Sequence, residues 1–177
     1  MTSPTDVLGD HVRDVADWPQ AGVTFRDVTP LLADADAFAA SVRALADLGR
    51  DLGGQIDVVA GVEARGFVFG APVAMALGVG FVPIRKAGKL PAATYGVSYD
   101  LEYGTETVEV HTDAFGPGQR VLVLDDVLAT GGTLVAANEL VRRTGAEVAA
   151  DVVLIEIAAL AGRARLQDVP LGAIRTY

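Results

Sequence analysis

The 177-residue chain has no cysteine. Disulfides, thiol nucleophiles and thiolate metal sites are therefore excluded. Imidazole is nearly as scarce: His11 and His111 are the two histidines, and they stand far apart in the sequence, too few for a zinc site of the usual kind. Cations are outnumbered, 14 Lys and Arg against 23 Asp and Glu, for a net charge of −9. Nucleic-acid binding rests on a basic face, which this balance opposes. Any anionic ligand must be held by a few placed cations and by backbone amides. No apolar run approaches the roughly 18 residues of a membrane span, and no basic-then-apolar leader opens the chain. These absences predict a soluble cytoplasmic protein without membrane or nucleic-acid partners. No repeat, linker or low-complexity stretch divides residues 1–177, and 51% hydrophobic residues suffice for one domain with a sizeable core.

What is present centres on residues 121–133. Val121-Leu122-Val123-Leu124 reads as a buried strand, and Asp125-Asp126 as an acidic turn at its carboxyl end. Ala129-Thr130-Gly131-Gly132-Thr133 then forms a small-residue loop before a helical pattern that runs to about residue 144. The first turn of a helix leaves its N–H groups unpaired, so such a loop binds phosphate. Two carboxylates beside an anion site suit a ligand that also carries ribose hydroxyls, a metal or a cationic transition state. Three readings compete: a plain βα turn with exposed acids, the acidic residue of a nucleotide hydrolase, and a site for a phosphorylated sugar. The second needs a Gly-x-x-x-x-Gly-Lys-Ser/Thr loop, which is absent, as is Gly-x-Gly-x-x-Gly.

Other segments repeat the strand–loop–helix pattern. Residues 3–6 start a helix whose inward face is Val7, Leu8, His11, Val12 and Val15, ending at 18–22. Residues 36–52 form an amphipathic helix closed by Gly53-Gly54. A short strand at 56–60 leads through Gly61-Val62-Glu63-Ala64-Arg65-Gly66 into a helix at 67–77, and Glu63 with Arg65 could be no more than a surface ion pair. A strand at 80–84 ends in Arg85-Lys86-Ala87-Gly88-Lys89, three cations in five residues. Residues 94–99 and 106–111 alternate as β-strands around Leu101-Glu102-Tyr103-Gly104. An apolar strand covers 148–157, then a helical turn at 162–166 and an edge strand at 171–176. Strands alternating with helices imply an α/β fold, a central parallel sheet flanked by helices. Its ligand crevice lies outside the carboxyl ends of the strands.

In combination these motifs resemble those of adenine phosphoribosyltransferases, within the type I phosphoribosyltransferases, over roughly residues 15–175. The matching pieces are Phe25-Arg26-Asp27, Ala64-Arg65-Gly66-Phe67, Arg85-Lys86-x-Gly88-Lys89-Leu90-Pro91, Leu101-Glu102-Tyr103-Gly104 and the central stretch. The resemblance implies the type I phosphoribosyltransferase fold, with a small N-terminal hood (about 1–33), a β-ribbon flap (about 86–112) and a homodimer. It implies transfer of phosphoribose from 5-phosphoribosyl-1-pyrophosphate to adenine, giving AMP and pyrophosphate. Magnesium is the implied cofactor, held mainly by substrate and water. On the same ground, Phe25 stacks on the base opposite Ile157, with Arg26 beside them. Ala64, Arg65, Arg85 and Lys89 receive the pyrophosphate, and a non-proline cis peptide is expected between Glu63 and Ala64. Asp125 and Asp126 take the ribose hydroxyls, and residues 129–133 the 5′-phosphate. Relatives acting on 6-oxopurines usually carry Asp where this chain has Ala129, which favours adenine. The alternatives are a transferase for another purine base and a non-catalytic sensor of the sugar ligand.

The resemblance also gives Glu102 the acid–base role on the purine, with the Tyr103 hydroxyl nearby; residue patterning alone would leave Glu102 one of 23 acids. General acid–base catalysis contributes roughly 10²–10⁴-fold. Glu102→Ala is therefore expected to slow AMP formation at least about tenfold while binding of the sugar pyrophosphate persists. Steady-state rates and calorimetric titration check this, and unchanged turnover removes Glu102 from the chemistry.

Overall fold

The computed structural model describes residues 8, 9, 11–100 and 104–177. Glu102 and Tyr103 lie outside the described residues. The elements in order are β1 (Arg13–Ala16), β2 (Thr24–Asp27), α1 (Thr29–Ala33), α2 (Ala35–Gly53), β3 (Val58–Val62), α3 (Arg65–Leu77) and β4 (Gly80–Lys86). They continue with β5 (Thr94–Asp100), β6 (Thr105–His111), β7 (Arg120–Leu128), α4 (Gly132–Arg143), β8 (Glu147–Glu156), two 3₁₀ turns (Ala158–Leu160 and Gly162–Arg165) and β9 (Leu171–Thr176).

Seven strands form one sheet in the order β5-β6-β4-β3-β7-β8-β9. From β4 to β9 all pairings are parallel, whereas β6 pairs antiparallel with both β4 and β5. The expected parallel sheet flanked by helices is thus present, and the ribbon expected over the site is rooted in it as an antiparallel edge. Because strand side chains alternate, β7 feeds two cores. Leu122 and Leu124 pack among α2 and α3 residues such as Leu45 and Phe69. Val121 and Val123 pack with Leu134, Ala137 and Leu140 of α4. All four β7 residues are fully buried. Among the described residues, no helix is long and apolar enough to cross a membrane.

Helices α3 and α4 follow neighbouring strands, β3 and β7, yet belong to opposite faces of the sheet. The connection through α3 leads outward to β4, and that through α4 leads the other way to β8. The gap between the carboxyl ends of β3 and β7 is therefore a topological switch point, where open α/β sheets bind ligands.

Two local expectations need correction. The acids Asp125 and Asp126 are not in a turn: β7 continues to Leu128, held by β8 through pairs such as Asp125↔Val153 and Val127↔Ile155. On its other side β7 loses β3 after Gly61↔Leu124. The strand runs on with one neighbour, and the acids stand at the fork. The N-terminal helix also ends earlier than expected. Leu8, Gly9 and His11 are helical, the Val12 amide donates to the Leu8 carbonyl at 3.1 Å, and residues 13–16 form β1. Val15, expected on a helix face, lies opposite Phe25 in an antiparallel hairpin. Complementary charges fix that register: Arg13 opposes Asp27 and Asp14 opposes Arg26, and both couples are ion-paired.

Under α4, Asp151 of β8 is fully buried and accepts from Asn138 Nδ2 at 2.8 Å. Asp151 Oδ1 and Asn138 Oδ1 find no partner among the described residues. Burial pushes the Asp151 carboxyl up to about 7, against the Asn138 hydrogen bond and the Arg142 charge. Both orphaned atoms are acceptors, and a protonated carboxyl supplies a donor. A folded pKa above the unfolded value of 3.8 means that stability is complete at low pH and is lost as pH rises through about 7. At about 1.4 kcal/mol per pKa unit the loss is roughly 4 kcal/mol. Asp151→Asn should therefore gain on the wild type by a few kcal/mol between pH 4 and 8 in urea unfolding. A stability difference that does not change with pH contradicts a neutral Asp151.

Candidate active site

At the switch point a cavity of about 790 Å³ opens. Of the residues expected at the site, Phe25, Arg26, Ala64, Arg65, Asp125, Asp126, Ala129, Thr133 and Ile157 line it. Thr130 and Gly131 belong to the loop between β7 and α4, Gly132 opens α4, and Arg85 and Lys89 stand at the pocket's edge, tied to the lining residue Glu63. Gly131, at φ 82°, is the N-cap of α4, so the loop delivers its amides to the helix N-terminus.

The acid pair is the electrostatic centre. Asp126 is 4% exposed. Its amide donates to Asp125 Oδ1 at 2.8 Å, and its Oδ2 lies 2.6 Å from Arg65 Nε. Burial, then the neighbouring Asp126 charge, pushes the Asp125 carboxyl well above the usual carboxylate range. Burial also raises Asp126, opposed by the Arg65 charge. The site thus holds two desolvated acids, one cation and room for a ligand. The Arg65 guanidinium carbon also lies 5.2 Å from the Phe25 ring centroid, within cation–π range. Trp18 meets the Phe25 ring edge-on at 4.4 Å. Arg65 therefore joins the aromatic wall to the acids.

Glu63 and Arg65 do not pair with each other, because their side chains diverge from the loop. The peptide between Glu63 and Ala64 is cis, as expected. Glu63 accepts from the Lys86 amide at 2.9 Å, is hydrogen-bonded by Lys89, and has Arg85 Nε at 3.5 Å. Burial raises its carboxyl, but these donors outweigh burial and hold it below the usual range. Arg26 turns from the base wall toward Asp14 and lies over the Tyr177 ring at 4.0 Å.

Sequence reasoning passed over Tyr99 and Glu106, and read Lys86 only as one of the three cations at 85–89. Tyr99, Lys86 and Glu106 form a chain: Thr133 Oγ1 donates to the Tyr99 hydroxyl (3.2 Å), which donates to Glu106 (3.5 Å), while Lys86 Nζ lies 2.6 Å from Glu106. The signal was the alternation of the hairpin. It puts Tyr99 on the inward face with Val97 and directly opposite Glu106. Gln20, Ala159 and Leu160 also line the pocket and carried no sequence signal.

A family model described as phosphoribosyl transferase domain matches residues 27–172. The adenine phosphoribosyltransferase of Thermobifida fusca is 56% identical over 175 residues, covering 99% of this chain and 98% of the relative. That of a Nocardioides species is 58% identical, covering 93% and 90%. The crystal structure of adenine phosphoribosyltransferase from Thermoanaerobacter pseudethanolicus matches with TM-score 0.92 at 45% identity, covering 98% of this chain and 99% of that one. The Saccharomyces cerevisiae enzyme, solved with an imino-altritol bisphosphate and adenine, gives TM-score 0.92 at 35% identity, covering 97% and 98%. The fold and its crevice are thus those of the phosphoribosyltransferase class. Within that class, the chain belongs to the adenine phosphoribosyltransferase family.

One close approach holds the acids in place. A Cβ on Gly66, in the first turn of α3, would lie 2.9 Å from the Leu124 carbonyl oxygen and 3.2 Å from Asp125 Oδ1. Overpacking of this kind costs about 1–3 kcal/mol. Gly66→Ala should lower the unfolding free energy by that amount in urea. Wild-type stability in that variant contradicts the tight contact between α3 and the acid pair.

Proposed function

We infer that the protein is an enzyme, a pentosyltransferase that converts adenine and 5-phosphoribosyl-1-pyrophosphate to AMP and pyrophosphate. The observation that carries this reading is a single pocket joining an aromatic wall, two adjacent acids and a phosphate-type loop. It occurs in a chain 56% identical, nearly end to end, to an adenine phosphoribosyltransferase.

Each group then has a task. The amides and hydroxyls of Ala129, Thr130, Gly131, Gly132 and Thr133 hold the 5′-phosphate at the N-terminus of α4. Asp125 and Asp126 accept hydrogen bonds from the ribose hydroxyls. Their charge favours the oxocarbenium-like ribose that forms as the bond to pyrophosphate breaks, because it is fixed in place before the reaction. Ala64 presents its backbone to the pyrophosphate, and Arg65, Arg85 and Lys89 exchange their carboxylate partners for it. Phe25 and Ile157 sandwich the base, with Arg26 behind Phe25. Ala129 offers no acid toward the purine N7, so Glu102 takes that proton work, with Tyr103 beside it.

The residues present fit a magnesium ion that arrives with the sugar. Among the described residues no three His, Cys, Asp or Glu side chains form a metal cluster, and Asp125 and Asp126 offer hard oxygens to its water shell. When bound, magnesium neutralises charge on the pyrophosphate. In this reading the hood of about residues 1–33 and the flap of about 86–112 close over the crevice and keep water from the activated sugar. The enzyme works in the cytoplasm as a homodimer. Met75 and Val68, 83% and 39% exposed and two turns apart on α3, support an apolar strip that a second copy would cover.

Formation of AMP, IMP, GMP and XMP, measured side by side with magnesium, tests the function. AMP should dominate by on the order of 10²-fold or more, since a site that pairs with one purine edge leaves polar groups unpaired against another. Formation of IMP, GMP or XMP without AMP overturns the assignment to adenine.

A further inference from the structure

After β8 the chain crosses the open end of the site before returning as β9. The first half of this crossing carries Ile157, Ala159 and Leu160, all of which line the pocket. The second half, Gly162–Arg165, lies against the loop between β7 and α4.

The contact is backbone on backbone. A Cβ on Gly162 would lie 2.2 Å from the Ala129 carbonyl oxygen and 2.8 Å from the Gly131 amide nitrogen. In the opposite direction, a Cβ on Gly131 would lie 2.7 Å from the Gly162 carbonyl oxygen. Neither position has room for a side chain, so the loop rests directly on the crossing segment. Arg165 Nη1 donates to the Thr130 carbonyl at 3.4 Å, and the Ile157 amide donates to the Leu128 carbonyl at 2.9 Å.

One side chain fixes the crossing segment. Arg163 donates to Glu156 through Nε at 2.9 Å and through Nη2 at 2.5 Å, and its Nη1 donates to the Leu171 carbonyl at 2.8 Å. Glu156 is the last residue of β8, and its side chain is 8% exposed. A bidentate guanidinium–carboxylate pair fixes orientation as well as distance, and Lys cannot reproduce the fork. All three guanidinium nitrogens are engaged within the protein, so Arg163 is not a cation waiting for substrate.

We propose that Glu156 and Arg163 are positioning residues, a clamp that sets the 5′-phosphate loop through Gly162 without touching the substrate. The proposal rests on the reading of residues 129–133 as the loop that holds the 5′-phosphate. Loosening the clamp releases the loop from its backstop. It leaves the pyrophosphate-side residues 63–65 and 85–89 where they are, because those are carried at the carboxyl ends of β3 and β4, away from the crossing segment. Loss of grip on the 5′-phosphate is loss of binding shared by ground and transition states. The KM for the sugar pyrophosphate therefore rises more than kcat falls.

The test compares two fragments of the substrate on the intact protein by calorimetric titration: ribose 5-phosphate, which needs the loop, and pyrophosphate, which does not. Arg163→Lys and Gly162→Ala should each weaken ribose 5-phosphate at least about fivefold and leave pyrophosphate within about twofold, as expected for a loss confined to one uniform-binding contact. Thr133→Val, in the first turn of α4 at the end of that loop, serves as the reference. If Thr133→Val weakens ribose 5-phosphate and the other two variants do not, the clamp is overturned and the loop reading stands. If none of the three does, the loop reading fails and the clamp with it. Equal weakening of both fragments by Arg163→Lys and Gly162→Ala also overturns the proposal, because general damage to the fold would produce it.

Discussion

Two adjacent carboxylates, Asp126 buried and Asp125 partly so, stand desolvated at the end of the central strand, and the rest of the site is arranged around that cost. Burying an ionised carboxylate without partners is expensive, and proteins meet the cost by pairing it or by raising its pKa. Both occur here: Arg65 stands against Asp126, and Asp125 is pushed toward its protonated form. The fork between β3 and β7 makes the position available. Leu124 is the last residue of β7 held on both sides. Beyond it the strand is paired only with β8, and its free side faces the first turn of α3. Gly66 allows that turn to come within contact of Asp125.

An acidic chain that takes an anionic substrate must keep its cations where they can be released. Arg65, Lys89 and Arg85 already face carboxylates, Arg65 on Asp126 and the other two on Glu63. Their side chains are between about a third and a half exposed. Surface pairs are worth about 0–1 kcal/mol, but these carboxylates are only 6% and 9% exposed, so a pyrophosphate that takes over the cations must also offset the cost of leaving a buried carboxylate. The carboxylates preset the cations, and Glu63 remains as the anchor from which Arg85 and Lys89 extend. On the other side of the pocket nothing is expected to change partners. The phosphate loop rests on Gly162, and the segment carrying Gly162 is locked by Arg163 and Glu156.

Much of this was legible in the sequence, for identifiable reasons. The apolar run 121–124 reads as a buried strand because it has no polar interruption, and 36–52 reads as a helix because its apolar residues recur at helical spacing. Asp34 caps that helix by accepting from the Ala37 amide at 2.8 Å. The acids were expected in a turn because strand ends are judged from polarity. What keeps them in the strand is β8, and pairing across a sheet cannot be read from residues 125–126. The segment 11–16 was misread because Leu8, Val12 and Val15 fit a helical face as well as a strand, and the deciding charges at 26 and 27 lie beyond the turn. Tyr99 and Glu106 were passed over, and Glu63 was given Arg65 as its partner, for the same reason: each acquires its role from a partner in another element. Glu102 and Tyr103 rest on resemblance alone.

The most direct measurement of the central claim is the number of protons exchanged when the sugar pyrophosphate binds, from calorimetric titration with magnesium in buffers of different ionisation enthalpy at a series of pH values above the ordinary carboxylate range. Asp125 carries a raised pKa in the empty site, and ribose hydroxyls and a bound cation favour its charged form. The account predicts, within that series, a proton release on binding that is lost in Asp125→Asn. Binding heats independent of the buffer, or a release that persists in Asp125→Asn, would contradict it.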